Sequence, residues 1–244
     1  IVQVRLEREA LSAAAFPKYC SCREQWPVTA QAGSASPPLP LRETRRRLRA
    51  LRRELPDDER DAAERTIHRE LRRLNVWQPG RRIAAFLGMP GEVDLRPAFE
   101  EAWRRGVRLF VPRILSLRRG AMTFVPYERD TRLQPNWFGI DEPVVPLSRR
   151  VGTLQLDTIL VPLVGFDSHC HRLGMGAGFY DRALQRRHAG RQPFHRPRLI
   201  GVAYDVQRLE RIDPAPWDVA LDMVVTERGV IRRDDSAPRA QSSA

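Results

Sequence analysis

A strand, a glycine-spaced loop and the first turn of a helix follow one another within residues 158–184. This local order limits what the chain can fold into. Residues 158–166 (TILVPLVGF) are almost uniformly apolar, the pattern of a strand buried on both faces. Polar turn residues come next, then alternate glycines at Gly174, Gly176 and Gly178, and an amphipathic run begins at Phe179. Glycine has no Cβ, so the backbone there can adopt positive φ and approach a ligand closely. Strand, glycine loop and helix start together present backbone N–H groups to an anion such as phosphate. Arg172 enters the loop with a fixed positive charge. Asp181 leaves it on the first helical turn, with the chemistry to hold a magnesium ion that a nucleotide brings. The glycines alone fit a ligand-free tight connection equally well. The loop also lacks the Gly-Lys-Ser/Thr ending of a Walker A sequence, and Gly178 falls one residue early for G-x-G-x-x-G.

Helix and strand signals alternate along the rest of the chain. Leu41, Thr44, Leu48, Leu51 and Leu55 recur at helical spacing, with arginines on the other faces. Pro56 and Asp57-Asp58 form a break and a new cap. Ala63, Ile67, Leu71 and Leu74 mark a second helix, stopped by Pro79-Gly80. Residues 82–87 (RIAAFL) and 107–111 (VRLFV) read as short buried strands. Between them Leu95, Phe99, Ala102 and Trp103 mark a helix capped by Asp94. That is a β-α-β unit, so the two strands should be parallel. Residues 122–127, 158–164, 199–203 and 223–226 supply further strands. The expected fold class is α/β: a three-layer, mostly parallel, open, Rossmann-like sheet flanked by helices, with an N-terminal helix pair. The Gly/Ser/Pro-rich stretch 31–40 (QAGSASPPLP) reads as a linker. Residues 41–232 are expected to form one domain, with 1–40 a disordered extension and 233–244 a disordered tail.

Composition narrows the partners. Hydrophobic residues make up 42% of 244, enough for a sizeable core, and the formal net charge is +12. Of the 42 basic residues only Lys18 is a lysine, a bias in usage rather than a binding stripe. The arginines are spread along the chain, aromatic content is 7%, and no aromatic–basic repeat exists, which argues against nucleic acid. Polyanionic small molecules fit better. The three cysteines, Cys20, Cys22 and Cys170, make no disulfide framework, so a reducing cytoplasm is expected. Cys20-x-Cys22 has no second pair to complete a metal site, and in the cluster His169, Cys170 and His171 the histidines read as solvated loop residues rather than metal ligands. No stretch approaches the ~20 apolar residues of a membrane span.

The longer string is more specific than the glycines. Phe166-Asp167, Arg172-Leu173-Gly174, Gly176, Gly178, Tyr180 and Asp181 together resemble the signature of the 5-formyltetrahydrofolate cyclo-ligase family, also called methenyltetrahydrofolate synthetases. Further similarities occur in order: LRALRRELPDDER, FLGMPGEVDLRP, FVPRI, NWFGIDEP and WDVALD, so that the resemblance spans residues 41–227. It implies ATP-dependent cyclisation of 5-formyltetrahydrofolate, possessing or lacking a polyglutamate tail, to 5,10-methenyltetrahydrofolate by a cytoplasmic monomer. It implies ATP contacts from Arg172, Leu173, Gly174, Met175, Gly176, Ala177, Gly178, Phe179 and Tyr180. Arg172 and Asp181 would be the catalytic pair, and Asp181 with Asp218 would hold Mg2+. A lysine usual in the family falls near Leu41, where this chain offers Arg42, Arg45 or Arg46. Leu87, Glu92 and Tyr180 would meet the pterin, with Trp137 and Phe138 as the folate wall. Glu92 also lies just past a strand end, where α/β proteins place ligand contacts. Cys170 stands where the family usually has glycine. If that residue needs positive φ, cysteine adds strain of about 1 kcal/mol.

Two other readings remain at this point. One is another nucleotide- or sugar-phosphate enzyme on a related scaffold, since fold does not fix function. The other is an arginine-rich nucleic-acid-binding protein, whose affinity would fall steeply with salt.

Overall fold

Neighbouring residues of each central strand are buried on opposite sides of one sheet. Ile83, Leu109, Val111, Leu160, Ile200, Met223 and Val225 join one hydrophobic cluster. Ala84, Phe110, Ile159, Val161, Leu199 and Val224 join another. This is the period-two alternation of strands covered on both faces. The computed structural model describes residues 4–5, 40–137, 139–185 and 197–234. Its main-sheet strands are β1 (Arg82–Ala84), β2 (Arg108–Ser116), β3 (Ala121–Pro126), β4 (Thr158–Pro162), β5 (Arg198–Val202), β6 (Met223–Thr226) and β7 (Gly229–Arg232). Their spatial order is β7-β6-β5-β4-β1-β2-β3. The five inner strands are parallel, while β3 and β7 close the edges antiparallel. The helices are α1 (Leu41–Arg53), α2 (Asp57–Arg73), α3 (Arg96–Arg104) and α4 (Phe179–Leu184).

The described helices are not shared equally between the faces. Ala63, Ile67 and Leu71 of α2 and Ala98, Phe99 and Ala102 of α3 pack on the first face. Among the described residues the second face is covered by Leu184 of the six-residue α4, by loop residues such as Leu156 and Leu221, and by Phe166. Helix α1 lies apart from both. Its Leu48 packs with Val164, Leu173, Leu209 and Ile212 in a third cluster, which places α1 beside the glycine loop.

Several local details differ from the sequence expectation for physical reasons. The apolar run 158–166 is not one strand. After β4, Gly165–Phe166 pairs antiparallel with Arg172–Leu173 in a small hairpin. A Cβ at Gly165 would sit 2.7 Å from Leu48 Cδ1, so glycine lets α1 close on this hairpin. Helix α3 starts at Arg96 with Leu95 as its N-cap, one residue later than expected. The Asp94 carboxylate still accepts from the Arg96 backbone N–H at 3.0 Å. Strand β7 was not expected; its short GVIR sequence at an edge carries no apolar alternation. Most of the 1–40 extension and nearly all of the 233–244 tail lie outside the described residues, although Val4–Arg5 pairs antiparallel with Arg211–Ile212. Among the described residues no helix is long and apolar enough to cross a membrane.

Candidate functional site

Strands β1 and β4 are neighbours, yet the chain leaves them in opposite directions across the sheet. From β1 it moves to β2 and β3; from β4 it moves to β5 and β6. Such a switch point opens a crevice beyond the carboxyl ends of the strands, where open α/β sheets take their ligands. Here it is a cleft of about 840 Å³. Apolar walls come from the segment after β1 (Phe86, Leu87, Met89) and from the β2–β3 hairpin (Pro112, Ile114, Met122). Polar walls come from Arg45 of α1, the glycine loop, Glu92 and Asp218. The small Gly165–Phe166/Arg172–Leu173 hairpin and α4 hold the loop at both ends.

The loop has the backbone that its glycines allow. Gly176 has φ +106 and Gly178 has φ +66, both in the region that side chains disfavour. Gly174 does not need that freedom. Arg45 Nε donates to the Gly174 carbonyl at 2.8 Å. Burial lowers the pKa of Arg45, Arg49 lowers it further, and Asp218 opposes both. Arg172 is buried; its guanidinium ion-pairs with Asp181 and donates to the Val219 carbonyl. Asp218 accepts from the Ala215 N–H at 2.9 Å through Oδ2. The Tyr180 hydroxyl is buried and has no hydrogen-bond partner among the described residues. Burial raises its pKa, Glu92 raises it further and Arg172 opposes, so the phenol stays protonated at neutral pH. An unpaired buried donor in a cleft wall is the kind of group a ligand satisfies.

Glu92 is held from behind. Its Oε1 accepts from Arg52 Nη2 at 3.2 Å and its Oε2 from the Met89 N–H at 3.1 Å. Arg52 Nη1 also donates to the Leu163 carbonyl at 3.3 Å. A single arginine of α1 thus ties the segment after β1 to the end of β4, across the switch point. The two side chains are only 2% and 9% exposed. Burial lowers the pKa of Arg52, and Glu92 opposes the shift.

The turn at Cys170 meets the condition set by the sequence. Cys170 has φ +63 and is fully buried. A cysteine held there carries about 1 kcal/mol of strain that glycine would avoid. The neighbouring Asp167 fixes the turn: its carboxylate accepts from the backbone N–H groups of His169, His171 and Ile212 and from the His171 ring. Burial alone would raise the Asp167 pKa, but these bonds outweigh it and the net shift is downward. Burial pushes the Cys170 thiol up to about 12.

Of the residues singled out from the sequence, the cleft gathers Arg45, Arg172, Asp181, Asp218, Leu87, Glu92 and residues 173–180. It does not gather Arg42 or Arg46. Both are exposed, and Arg46 pairs with Glu43 at 3.1 Å. Trp137 stands 87% exposed, away from the cleft lining, while its neighbours Asn136 and Ile140 line the wall. Phe138 lies outside the described residues. Sequence reasoning missed Arg52, Arg182 and Trp217, of which the last two line the cleft. For Arg52 a signal existed: it falls four residues after Leu48, on the buried stripe of α1. Among the described residues no group of three or more His, Cys, Asp or Glu side chains converges as a metal site. Asp181 and Asp218 in one cleft still suit Mg2+, which keeps waters and takes other oxygens from phosphate.

Fold and cleft define an α/β protein with an anion-ready glycine loop at the switch point of its sheet. The chain belongs to the 5-formyltetrahydrofolate cyclo-ligase family, whose model matches residues 41–227. A 5-formyltetrahydrofolate cyclo-ligase of Escherichia coli K12 is 39% identical over 151 residues, 59% of this chain and 76% of that protein. One from Haemophilus influenzae is 29% identical over 177 residues, covering 72% and 92%. The NMR structure of the Aquifex aeolicus 5,10-methenyltetrahydrofolate synthetase superposes with a TM-score of 0.67 at 30% identity, over 83% of this chain and 97% of that one.

Proposed function

We propose that this protein cyclises 5-formyltetrahydrofolate to 5,10-methenyltetrahydrofolate at the expense of ATP. One observation carries the proposal. The glycine loop, flanked by Arg45 and Arg172, shares a single cleft with the Glu92 carboxylate and the unpartnered Tyr180 hydroxyl. That is an anion-binding wall and a pterin-binding wall facing one space.

An amide oxygen is a poor leaving group, and phosphorylation cures this. The formyl oxygen attacks the γ-phosphorus and ADP departs. N10 then attacks the formyl carbon. The C–O bond breaks, phosphate leaves with the former formyl oxygen and the bonding electrons, and the N10 proton is released. The protein positions two ligands and neutralises developing charge. Backbone N–H groups of residues 174–178 cradle the phosphates, with Arg45 and Arg172 adding charge. Arg45 is the arginine we assign to the role of the family lysine. Asp181 and Asp218 would hold Mg2+, which screens the phosphate charge. Asp181 accepts from Arg172 through Oδ1 and keeps its second oxygen for the ion. Glu92 accepts pterin N–H groups, Tyr180 donates its hydroxyl, and Leu87 packs on the ring. Trp137 takes no role in this scheme.

The test is direct. With 5-formyltetrahydrofolate and Mg-ATP, the methenyl chromophore should accumulate with one ADP per product. Omitting either ATP or magnesium should stop it. Product formed at the same rate without ATP, or none with it, would sink the proposal.

A further inference from the structure

Two arginines grip the glycine loop by its carbonyls, one at each end. Arg45 Nε holds the Gly174 carbonyl at 2.8 Å. Arg182 Nη2 holds the Ala177 carbonyl, while its Nε donates to the Gly120 carbonyl at 3.0 Å. Gly120 closes the turn of the β2–β3 hairpin, with its N–H bonded to Leu117 O at 3.1 Å and φ at +54. A Cβ built on Gly120 would lie 1.6 Å from Arg182 Nη2, so only glycine leaves room for the guanidinium. The same guanidinium lies 3.1 Å from a Cβ built on Gly178.

The peptide group is planar and trans, so its C=O and N–H point in opposite directions. A carbonyl held by an arginine therefore turns the N–H of the next residue away from that arginine. For Arg182 that next residue is Gly178. Carbonyl oxygens repel phosphate, and a loop of glycines can rotate them inward unless something holds them. We propose that Arg182 is a positioning residue for the glycine loop: by clamping the Ala177 carbonyl to the β2–β3 turn, it presets the Gly178 N–H for the nucleotide phosphate. The inference rests on the placement of ATP at this loop. It also gives Gly120, remote in sequence from the loop, a role in nucleotide binding through the space it leaves.

Steady-state kinetics test this with Arg182→Ala, Gly120→Ala and the double variant. Arg182→Ala should raise KM for Mg-ATP about tenfold, the size expected from losing one charge-assisted hydrogen bond. KM for 5-formyltetrahydrofolate should stay within about twofold, the split that separates loop positioning from general damage. Arg182→Lys, which keeps one donor group, should recover part of the loss and also serves if the alanine variant does not fold. Gly120→Ala should raise KM for ATP in the same way. The double variant should have the same KM for ATP as Arg182→Ala alone, because the clash needs the guanidinium; the strain of alanine at φ +54 remains in both Gly120 variants and is read as a lower melting temperature. An unchanged KM for ATP in Arg182→Ala, or a Gly120→Ala effect that adds in full to it, overturns the inference. If Gly176→Val still destroys nucleotide binding while Arg182→Ala does not, the loop assignment stands and only the clamp falls.

Discussion

Gly176→Val should yield a folded protein that scarcely binds ATP and turns over at least about 100-fold more slowly, the scale seen when preorganised backbone donors are lost. Gly176 sits at φ +106, where a β-branched residue is strained by about 1–3 kcal/mol. The residue is exposed, so the structure can relieve that strain by moving the loop rather than by unfolding. Relief means shifting the backbone, and with it the N–H groups meant for phosphate. A Cβ there would make ordinary contact with Arg45 Cζ at 3.7 Å, so the strain lies in the backbone and not in a clash with the guanidinium. The core below is untouched: Leu173 and Leu184 keep their places in separate hydrophobic clusters. Calorimetric titration with ATP and a thermal melt separate the two effects. Normal ATP binding by the variant would make the loop a structural turn and move the nucleotide elsewhere.

Arg52→Met should be the most damaging change to stability, by about 3–5 kcal/mol. It strands the Glu92 carboxylate, which is 9% exposed, and it removes a donor from the Leu163 carbonyl. The buried pair is weak evidence that charge stabilises the fold; the cost arises from breaking it with one partner left behind. The double variant Arg52→Met/Glu92→Gln should therefore be more stable than Arg52→Met alone, by at least about 1 kcal/mol. Its activity should fall, because glutamine offers the pterin one acceptor oxygen and no charge where the carboxylate offers two oxygens and a charge. Urea denaturation of Arg52→Met, Glu92→Gln and the double variant measures the coupling. An Arg52→Met cost below about 1 kcal/mol, or strict additivity, would show that the pair does not hold the two strand ends together.

The local signals of this chain were legible, and the long-range ones were not. The glycine loop could be read because apolar run, alternate glycines and helix start are contiguous in sequence. The parallel strands could be read because each is a short apolar run between helix signals. Which arginine of α1 reaches the loop could not be read from charge alone, since Arg42, Arg45 and Arg46 offer the same chemistry. The stripe through Leu41, Leu48 and Arg52 decides it, because Arg45 lies on that side while Arg46 faces solvent. The Arg182–Gly120 contact joins residues 62 apart and leaves no local trace. Trp137 was grouped with the cleft because an aromatic in a turn carries no periodicity to say which way it points. The positive φ at Cys170 was anticipated only as a condition, since cysteine gives no signal of that conformation.

The central claim is that ATP phosphorylates the formyl oxygen in this cleft. Synthesising 5-formyltetrahydrofolate with 18O in the formyl group and analysing the released phosphate by mass spectrometry tests it. One 18O atom should appear in inorganic phosphate for each methenyl product formed. Label found in water, with unlabelled phosphate, would contradict the account.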